Sequence, residues 1–367
     1  MIQEIEVVGG AIPLTRTEPV QQWTEEWSTQ LYVKAVASGL VGWGQVLPSG
    51  GNSTQPFRAI LERLRADVLG RDESDVRGLW NAMRRTTFTG GYGMTTGAIS
   101  GIDIALWDLA ARKAGLPLAG LLGGTGRRVR RYASLARYRT VDQVVEVVGR
   151  LRDAGYRSVK LHQPRETMLD AIRAVRDRYG SEPILSADLN CAFGLEAAVD
   201  FMNRVQRFEL EWIEEPVWPP DDFDALKRLN RLGPIAAGEN AFSLLEFKRL
   251  VEMEALTYLQ PDIAKVGGVT PALEILSVAK SHGVSVAFHN RPDNGWVSTM
   301  ASAHLASAVA PEALIETPPN EIPGGVFAFQ GVVEKNEIQV GGPGLGIAPL
   351  DTAPRSGEAR ALRFHDP

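Results

Sequence analysis

The chain's 367 residues exceed what one small core holds and suit a small domain joined to a barrel of roughly 200–250 residues. Its net charge of −5 and the lack of any basic stripe exclude nucleic-acid binding on electrostatic grounds, and no apolar run approaches the ~18 residues of a membrane span. The single cysteine, Cys191, excludes intrachain disulfides and a thiolate-built metal site.

The first five residues alternate polar and apolar like an opening strand. They lack the charged start and apolar core of a signal peptide, so the expectation is a cytoplasmic protein. Residues 1–60 read as short strands and turns: 30–37 is strand-like, and Gly42-Trp43-Gly44 punctuates the next strand. Two helical stretches follow. The clearer one, 98–113, carries Ile99, Ile102, Leu106 and Leu109 on one face, and Leu122-Gly123-Gly124 closes the region. From about Val129 short apolar runs alternate with amphipathic helical patterns, the signature of repeated β/α units around a parallel sheet. The apolar runs are 158–159, 184–187, 212–213, 235–237, 258–259, 284–288 and 313–315. After Glu316 the chain turns Pro/Gly-rich and offers one more strand-like piece, 332–340, in a tail expected to return to the first domain.

Each apolar run ends on a charged or ionisable residue: Lys160, Asp188, Glu214, Glu239, Asp262, His289 and Glu316, separated by 28, 26, 25, 23, 27 and 27 residues. That interval is the length of one β/α unit. All seven therefore fall on one edge of one barrel, the C-terminal edge where such barrels carry their active sites. Any one of Asp188, Glu214 and Glu239 could be a solvated acid capping the next helix. Three carboxylates on adjacent strand ends repel one another unless something neutralises them, and a hard cation such as Mg²⁺ prefers such oxygen ligands. Lys160 and His162 are two apart, so on a strand both point into the same mouth. Asp262 with His289 makes a candidate general base, its imidazole oriented by the carboxylate. Glu316 is a candidate hydrogen-bond partner for a substrate oxygen.

In this order the segments Val159-Lys160-Leu161-His162, Ala187-Asp188-Leu189-Asn190, Ile213-Glu214-Glu215-Pro216, Gly238-Glu239-Asn240, Gln260-Pro261-Asp262 and Phe288-His289-Asn290 resemble the enolase superfamily, within it the mandelate racemase subgroup. The run from Ser100 to Asp108, Leu121-Leu122-Gly123-Gly124 and the late Gly342-Pro343-Gly344-Leu345-Gly346 resemble the family's links between cap and barrel. The resemblance implies an α/β fold: a (β/α)₇β TIM-like barrel (127–320) under an α+β capping domain built from 1–126 and the returning tail 321–367. It implies one Mg²⁺ per active site, replaceable by Mn²⁺, on Asp188, Glu214 and Glu239. Asn190 and Asn290 would contact substrate, and a cap loop around 15–27 would close over it, with Trp23 and Trp27 lining the lid. Specificity would lie there, in 49–55 and beside Arg291. A homo-oligomer is implied, as are a small-molecule carboxylate partner and no nucleic acid or membrane.

Two details place the chain within the superfamily. Muconate-lactonising and dipeptide-epimerising relatives carry a lysine where this chain has Asp262. The usual Lys-x-Lys is here Lys160-x-His162, so His162 either replaces a lysine base or contacts substrate. The family's cap glutamate is Gln45, a change expected to leave the chemistry alone. The implied reaction is removal of the proton beside a carboxylate, with the metal taking up charge that develops in the enediolate. Dehydration of an acid sugar is the first expectation, and racemase, epimerase or cycloisomerase activity the alternative. A metal-dependent barrel hydrolase is more remote, because such barrels recruit several histidines and the first barrel strand, 129–133, has none. A barrel kept only for binding or assembly fits poorly with an intact set of seven strand-end residues.

Overall fold

The computed structural model describes residues 1–11, 29–48, 53–126, 128–291, 296–319 and 327–349. The expected lid 15–27, with Trp23 and Trp27, lies outside the described residues, as does 49–52 of the neighbouring cap loop.

Strands β1 (Ile2–Ala11), β2 (Thr29–Ala37) and β3 (Leu40–Val46) form an antiparallel sheet, β2 turning into β3 through Ser38-Gly39, both at positive φ. Against it lie helices α1 (Thr54–Val68), α2 (Val76–Thr86) and α3 (Met94–Lys113). Their shared core holds Leu31, Val33, Leu61, Leu79, Met83, Ile99, Ile102 and Leu106. Gly42-Trp43-Gly44 does not punctuate a strand but runs inside β3. A Cβ on Gly44 would meet the Gly101 carbonyl at 1.8 Å, and one on Gly42 the Ala105 carbonyl at 2.2 Å. The two glycines let α3 lie directly on the strand. That position also explains why α3 is buried on nearly every side instead of along the single stripe its spacing predicts: it sits between the sheet and the barrel.

A short α4 (Leu118–Leu121) leads into the barrel. Eight parallel strands follow: β4 (Val129–Ser134), β5 (Ser158–Leu161), β6 (Ile184–Asp188), β7 (Ile213–Glu214), β8 (Ile235–Ala237), β9 (Tyr258–Leu259), β10 (Ser285–Phe288) and β11 (Leu314–Thr317). The barrel closes through β11 on β4, with Glu316 opposite Tyr132. Seven helices alternate with the strands: α5 (Val141–Asp153), α6 (Arg165–Tyr179), α7 (Leu195–Val205), α8 (Phe223–Asn230), α9 (Leu244–Glu252), α10 (Val269–Ser281) and α11 (Trp296–Val309). Their starts are specified locally. Thr140 and Gln143 form a reciprocal capping box on α5, and Asp222 and Ser243 accept the first free amides of α8 and α9. Apolar side chains between strands and helices make the main core, and a smaller cluster of Tyr132, Trp212, Ala236 and Ala287 fills the barrel interior.

The tail divides. The piece read as one strand, 332–340, is a hairpin of β13 (Val332–Val333) and β14 (Glu337–Gln339), and β14 pairs antiparallel with barrel strand β4. Strands β12 (Phe327–Phe329) and β15 (Ile347–Pro349) pair with each other, and Phe327 packs edge-on against Tyr32 and Trp43 of the first sheet. Leu345 donates its amide to Asp108 of α3, and Arg112 donates to the Ile347 carbonyl. Gln45, at the position of the expected glutamate, is buried in the same junction: it donates to Gln30 and accepts the Ser298 amide of α11.

Candidate active site

The seven strand-end residues do meet at one edge of the barrel. Asp188 and Glu214 close β6 and β7 in register with each other, and Glu239, Asp262 and His289 follow β8, β9 and β10 within three residues. They form two groups. In the first, fully buried Lys160 reaches Glu214 Oε1 at 2.6 Å and Asp188 Oδ2 at 3.4 Å, and pairs with Glu316 Oε1 at 2.7 Å without hydrogen-bond geometry. Burial works against the ammonium, yet Glu214 and Glu316 outweigh it and hold Lys160 well above its ordinary pKa. In the second, His289 Nδ1 lies 2.8 Å from Asp262 Oδ2 and Nε2 lies 2.5 Å from Glu239 Oε2. An imidazole with a carboxylate oxygen on each nitrogen must donate twice, so it is charged. Burial opposes that charge, but Glu239 and Asp262 raise His289 well above 6.5.

His162 and Lys160 both approach Asp188 Oδ2, as their spacing requires, His162 Nε2 at 3.3 Å. The same nitrogen is 2.7 Å from Asn190 Oδ1, which also accepts from Arg137 at 2.6 Å. Because that oxygen already faces a guanidinium donor, His162 Nε2 carries the proton and Nδ1 is bare. Nδ1 is buried and meets no partner among the described residues. Burial first, then Lys160 and Arg137, push His162 down to about 4. Asn190 itself sits at φ 44° and donates its amide to Asp188 Oδ1. Asn290 is buried beside Glu316, donating its amide to Oε2, and its Nδ2 has no acceptor among the described residues. Glu316 Oε2 also accepts from Tyr132 at 3.3 Å.

The donor set suits a hard divalent cation. Asp188, Glu214 and Glu239 offer only oxygens, and negative charge is in excess: burial, then Glu214 and, after the opposing pull of Lys160, Glu239 drive the Asp188 carboxyl well above its ordinary value. As placed, no three His, Cys, Asp or Glu side chains among the described residues stand close enough to ligate one ion. Lys160 occupies Asp188 and Glu214, and His289 occupies Glu239. Ligation therefore requires these carboxylates to turn away from Lys160 and His289.

Several residues of the site escape a reading of strand ends. Arg137 follows the first barrel strand and orients Asn190. Trp212 and Gln260 both donate to Glu214 Oε2. Glu215, at φ 39°, accepts the Gly238 amide and is pushed up to about 7 by burial and by Glu239. Only Trp212 carried a usable signal, an aromatic residue two before a strand-end glutamate and so on its side of the strand.

Residues 5–123 match the family described as the N-terminal domain of mandelate racemase/muconate lactonizing enzyme, and residues 143–353 match the enolase C-terminal domain-like family. A D-galactonate dehydratase from Verminephrobacter eiseniae is 33% identical over 269 residues, 68% of each chain. The solved structure of an L-talarate dehydratase from Polaromonas sp. JS666, complexed with Mg and L-glucarate, superposes with TM-score 0.80 at 27% identity, covering 95% of both chains. A 3,6-anhydro-D-galactonate cycloisomerase from Zobellia galactanivorans superposes with TM-score 0.82 at 26% identity, over 95% of this chain and 96% of that one. The chain belongs to the mandelate racemase/muconate lactonizing enzyme group of the enolase superfamily.

Proposed function

We propose that this enolase-superfamily member uses Mg²⁺ to remove the proton beside the carboxylate of an acid sugar or related hydroxy acid, and then expels a β-hydroxyl as water. Asp188, Glu214 and Glu239 would hold the ion, with Mn²⁺ able to replace it. When bound, the ion neutralises the charge that builds on the substrate carboxylate as the α-proton leaves. On this reading residues 1–126 and 321–367 form the cap and 127–320 the catalytic barrel.

One observation carries the reading: protonatable groups, Lys160 and His289, reach one carboxylate-rich mouth from the second and the seventh barrel strands. Each is held charged by carboxylates that are also the ligands proposed for the ion. Their readiness to exchange protons is therefore tied to where those carboxylates point. Lys160 would be the base, taking the α-proton once it has given up its own proton as the carboxylates that hold it charged turn away. His289, steadied by Asp262, gives its Nε2 proton to the departing hydroxyl, and the enol left behind becomes a 2-keto acid. A positioned acid or base of this kind contributes roughly 10²–10⁴-fold. Glu316, Asn290 and Asn190 would hold substrate oxygens, and Trp23 the lid side of the substrate. His162, bare at Nδ1, would accept a substrate hydroxyl proton or serve as the base itself.

The same two-sided arrangement favours a second reading, racemisation, epimerisation or cycloisomerisation, in which one side removes the proton and the other returns it. Incubation with Mg²⁺ and a panel of acid sugars in deuterium oxide separates them. Dehydration gives a keto acid, whereas epimerisation gives deuterium in recovered substrate and its epimer. Turnover with neither α-carbon exchange nor a metal requirement overturns both. No described helix is long and apolar enough to cross a membrane, and a cytoplasmic homo-oligomer completes the proposal.

A further inference from the structure

We propose that Trp212 and Gln260 act together as positioning residues that tie down one oxygen of Glu214 and thereby set the affinity of the site for its divalent ion. The inference rests on the reading of Glu214 as a metal ligand. Glu214 Oε2 accepts from Trp212 Nε1 at 3.0 Å and from Gln260 Nε2 at 2.7 Å, and Oε1 faces Lys160. All four side chains are fully buried. An oxygen that takes two neutral donors in a dry interior is costly to release, so Oε2 is committed. Oε1 faces only Lys160, whose positive charge an arriving cation would replace, so it is the oxygen left to turn to an ion.

Two further observations show that this bond is built in. The Trp212 indole is wedged between Tyr132 and Tyr258, with ring centroids 5.2 and 4.9 Å away, inside the small aromatic cluster that fills the barrel. Its Nε1 therefore has little freedom to follow Glu214 elsewhere. Gln260 is half satisfied: its Oε1 is buried and meets no donor among the described residues. Turning the amide over would set that oxygen against the Glu214 carboxylate. An apolar side chain of the same length would avoid the orphaned acceptor, which is costly to leave buried. An amide at this place makes sense only through what its Nε2 holds.

Partners that orient metal ligands typically change affinity by 10–100-fold when removed. The test measures Mn²⁺ binding by electron paramagnetic resonance, and Mg²⁺ binding by calorimetry, on the unliganded full chain and on Trp212→Phe and Gln260→Met. Each variant should bind roughly 10–100-fold more weakly, with circular dichroism unchanged. If the wild-type chain binds no divalent ion, the metal reading itself fails. If it binds and both variants bind within twofold of it, whatever happens to their melting temperatures, the metal reading stands and the positioning role is overturned. Should Trp212→Phe fail to fold, Gln260→Met, which leaves the aromatic stack intact, decides alone.

Discussion

Lys160 and His289 serve one mouth but rest on different supports. The Lys160 half is held from inside the barrel: Lys160, Glu214 and Glu316 are fully buried, and Trp212, Gln260 and Tyr132 fix the carboxylates from below. The His289 half is less enclosed, with the imidazole 12% exposed, and much of its bracing comes from the cap. Asp262 starts a segment whose Gly267 amide donates to Ser100 and whose Gly267 carbonyl accepts from Trp80. Thr270 donates to Asp103 through both its amide and its hydroxyl, and its hydroxyl accepts from Trp107. The run from Ser100 to Asp108, which only marked a family likeness in the sequence, thus clamps the loop that carries Asp262. One half of the site should therefore answer to barrel packing and the other to cap docking.

The widest break in that contrast comes from the residues the halves would share. Asp188→Asn and Glu239→Gln should each abolish divalent-ion binding and cut turnover by more than about 10³-fold, since each removes charge that the cation offsets. Calorimetry and a coupled assay check both. Ion binding that survives Glu239→Gln at wild-type strength would confine the ion to the Lys160 half.

Separating the halves comes next. His289→Asn should lower dehydration by roughly 10²–10⁴-fold while α-carbon exchange in deuterium oxide continues, because the acid is lost and the base is not. Lys160→Met should stop exchange and dehydration together, because the α-proton must leave before water does, and should also destabilise the fold, since it strands Glu214 and Glu316 in the interior; such losses run to about 3–5 kcal/mol. If exchange stops in His289→Asn and persists in Lys160→Met, the assignments of acid and base are interchanged.

The cap's hold on the His289 half can be read from pH. Burial pushes the Asp103 carboxyl up to about 7, against the hydrogen bonds it accepts from Thr270. The folded chain therefore binds this proton more tightly than the unfolded chain, whose ordinary carboxyl titrates near 3.8. The stability this confers is complete below about 4 and disappears as pH rises through about 7. Asparagine does not titrate. Between pH 5 and 8 the wild type should thus lose on the order of 1–3 kcal/mol relative to Asp103→Asn, measured by denaturant unfolding. A difference that stays flat with pH would mean that the α10 amides keep Asp103 ionised. Ion affinity should not change, because Asp103 bonds to Thr270 and to none of the three proposed ligands.

How much of this was legible follows the same division. Strand ends were readable because each apolar run stops at an ionisable residue and the interval repeats at the length of one β/α unit. Lys160, Asp188 and Glu214 needed nothing more, and they lie where the period puts them. Gln260 was not readable as a partner, because a buried amide looks like core until the carboxylate beside it is seen, whereas the spacing of Trp212 put it on the same side of the strand as Glu214 without naming the bond. Arg137 was missed since it lies in the loop past its strand, outside the repeat. Gly42 and Gly44 misled for a related reason: glycine signals a turn or a close approach equally well, and only the helix lying on β3 decides between them. The tail hairpin was invisible because its pairing with β4 is a long-range contact, and apolar pattern alone does not name a partner strand.

His162 should give the smallest effect, and its size matters more than its sign. Its ring is tied to Asn190 and Asp188 through one nitrogen, the other nitrogen is bare, and burial, Lys160 and Arg137 all disfavour the charged form. A neutral histidine in that place can accept one hydrogen bond from substrate and keep Asn190 in line. Losing a single neutral hydrogen bond costs about 0.5–1.5 kcal/mol, so His162→Asn should lower kcat/KM by roughly 2- to 13-fold, chiefly through KM. Steady-state kinetics together with the rate of α-proton exchange would check this. A loss of 10³-fold or more, in kcat and with exchange abolished, would instead move the base from Lys160 to His162. It would also recast Lys160 as a fixed positive charge that balances Glu214 and Glu316, and the barrel-braced half would then owe its chemistry to the one histidine standing where a lysine was expected.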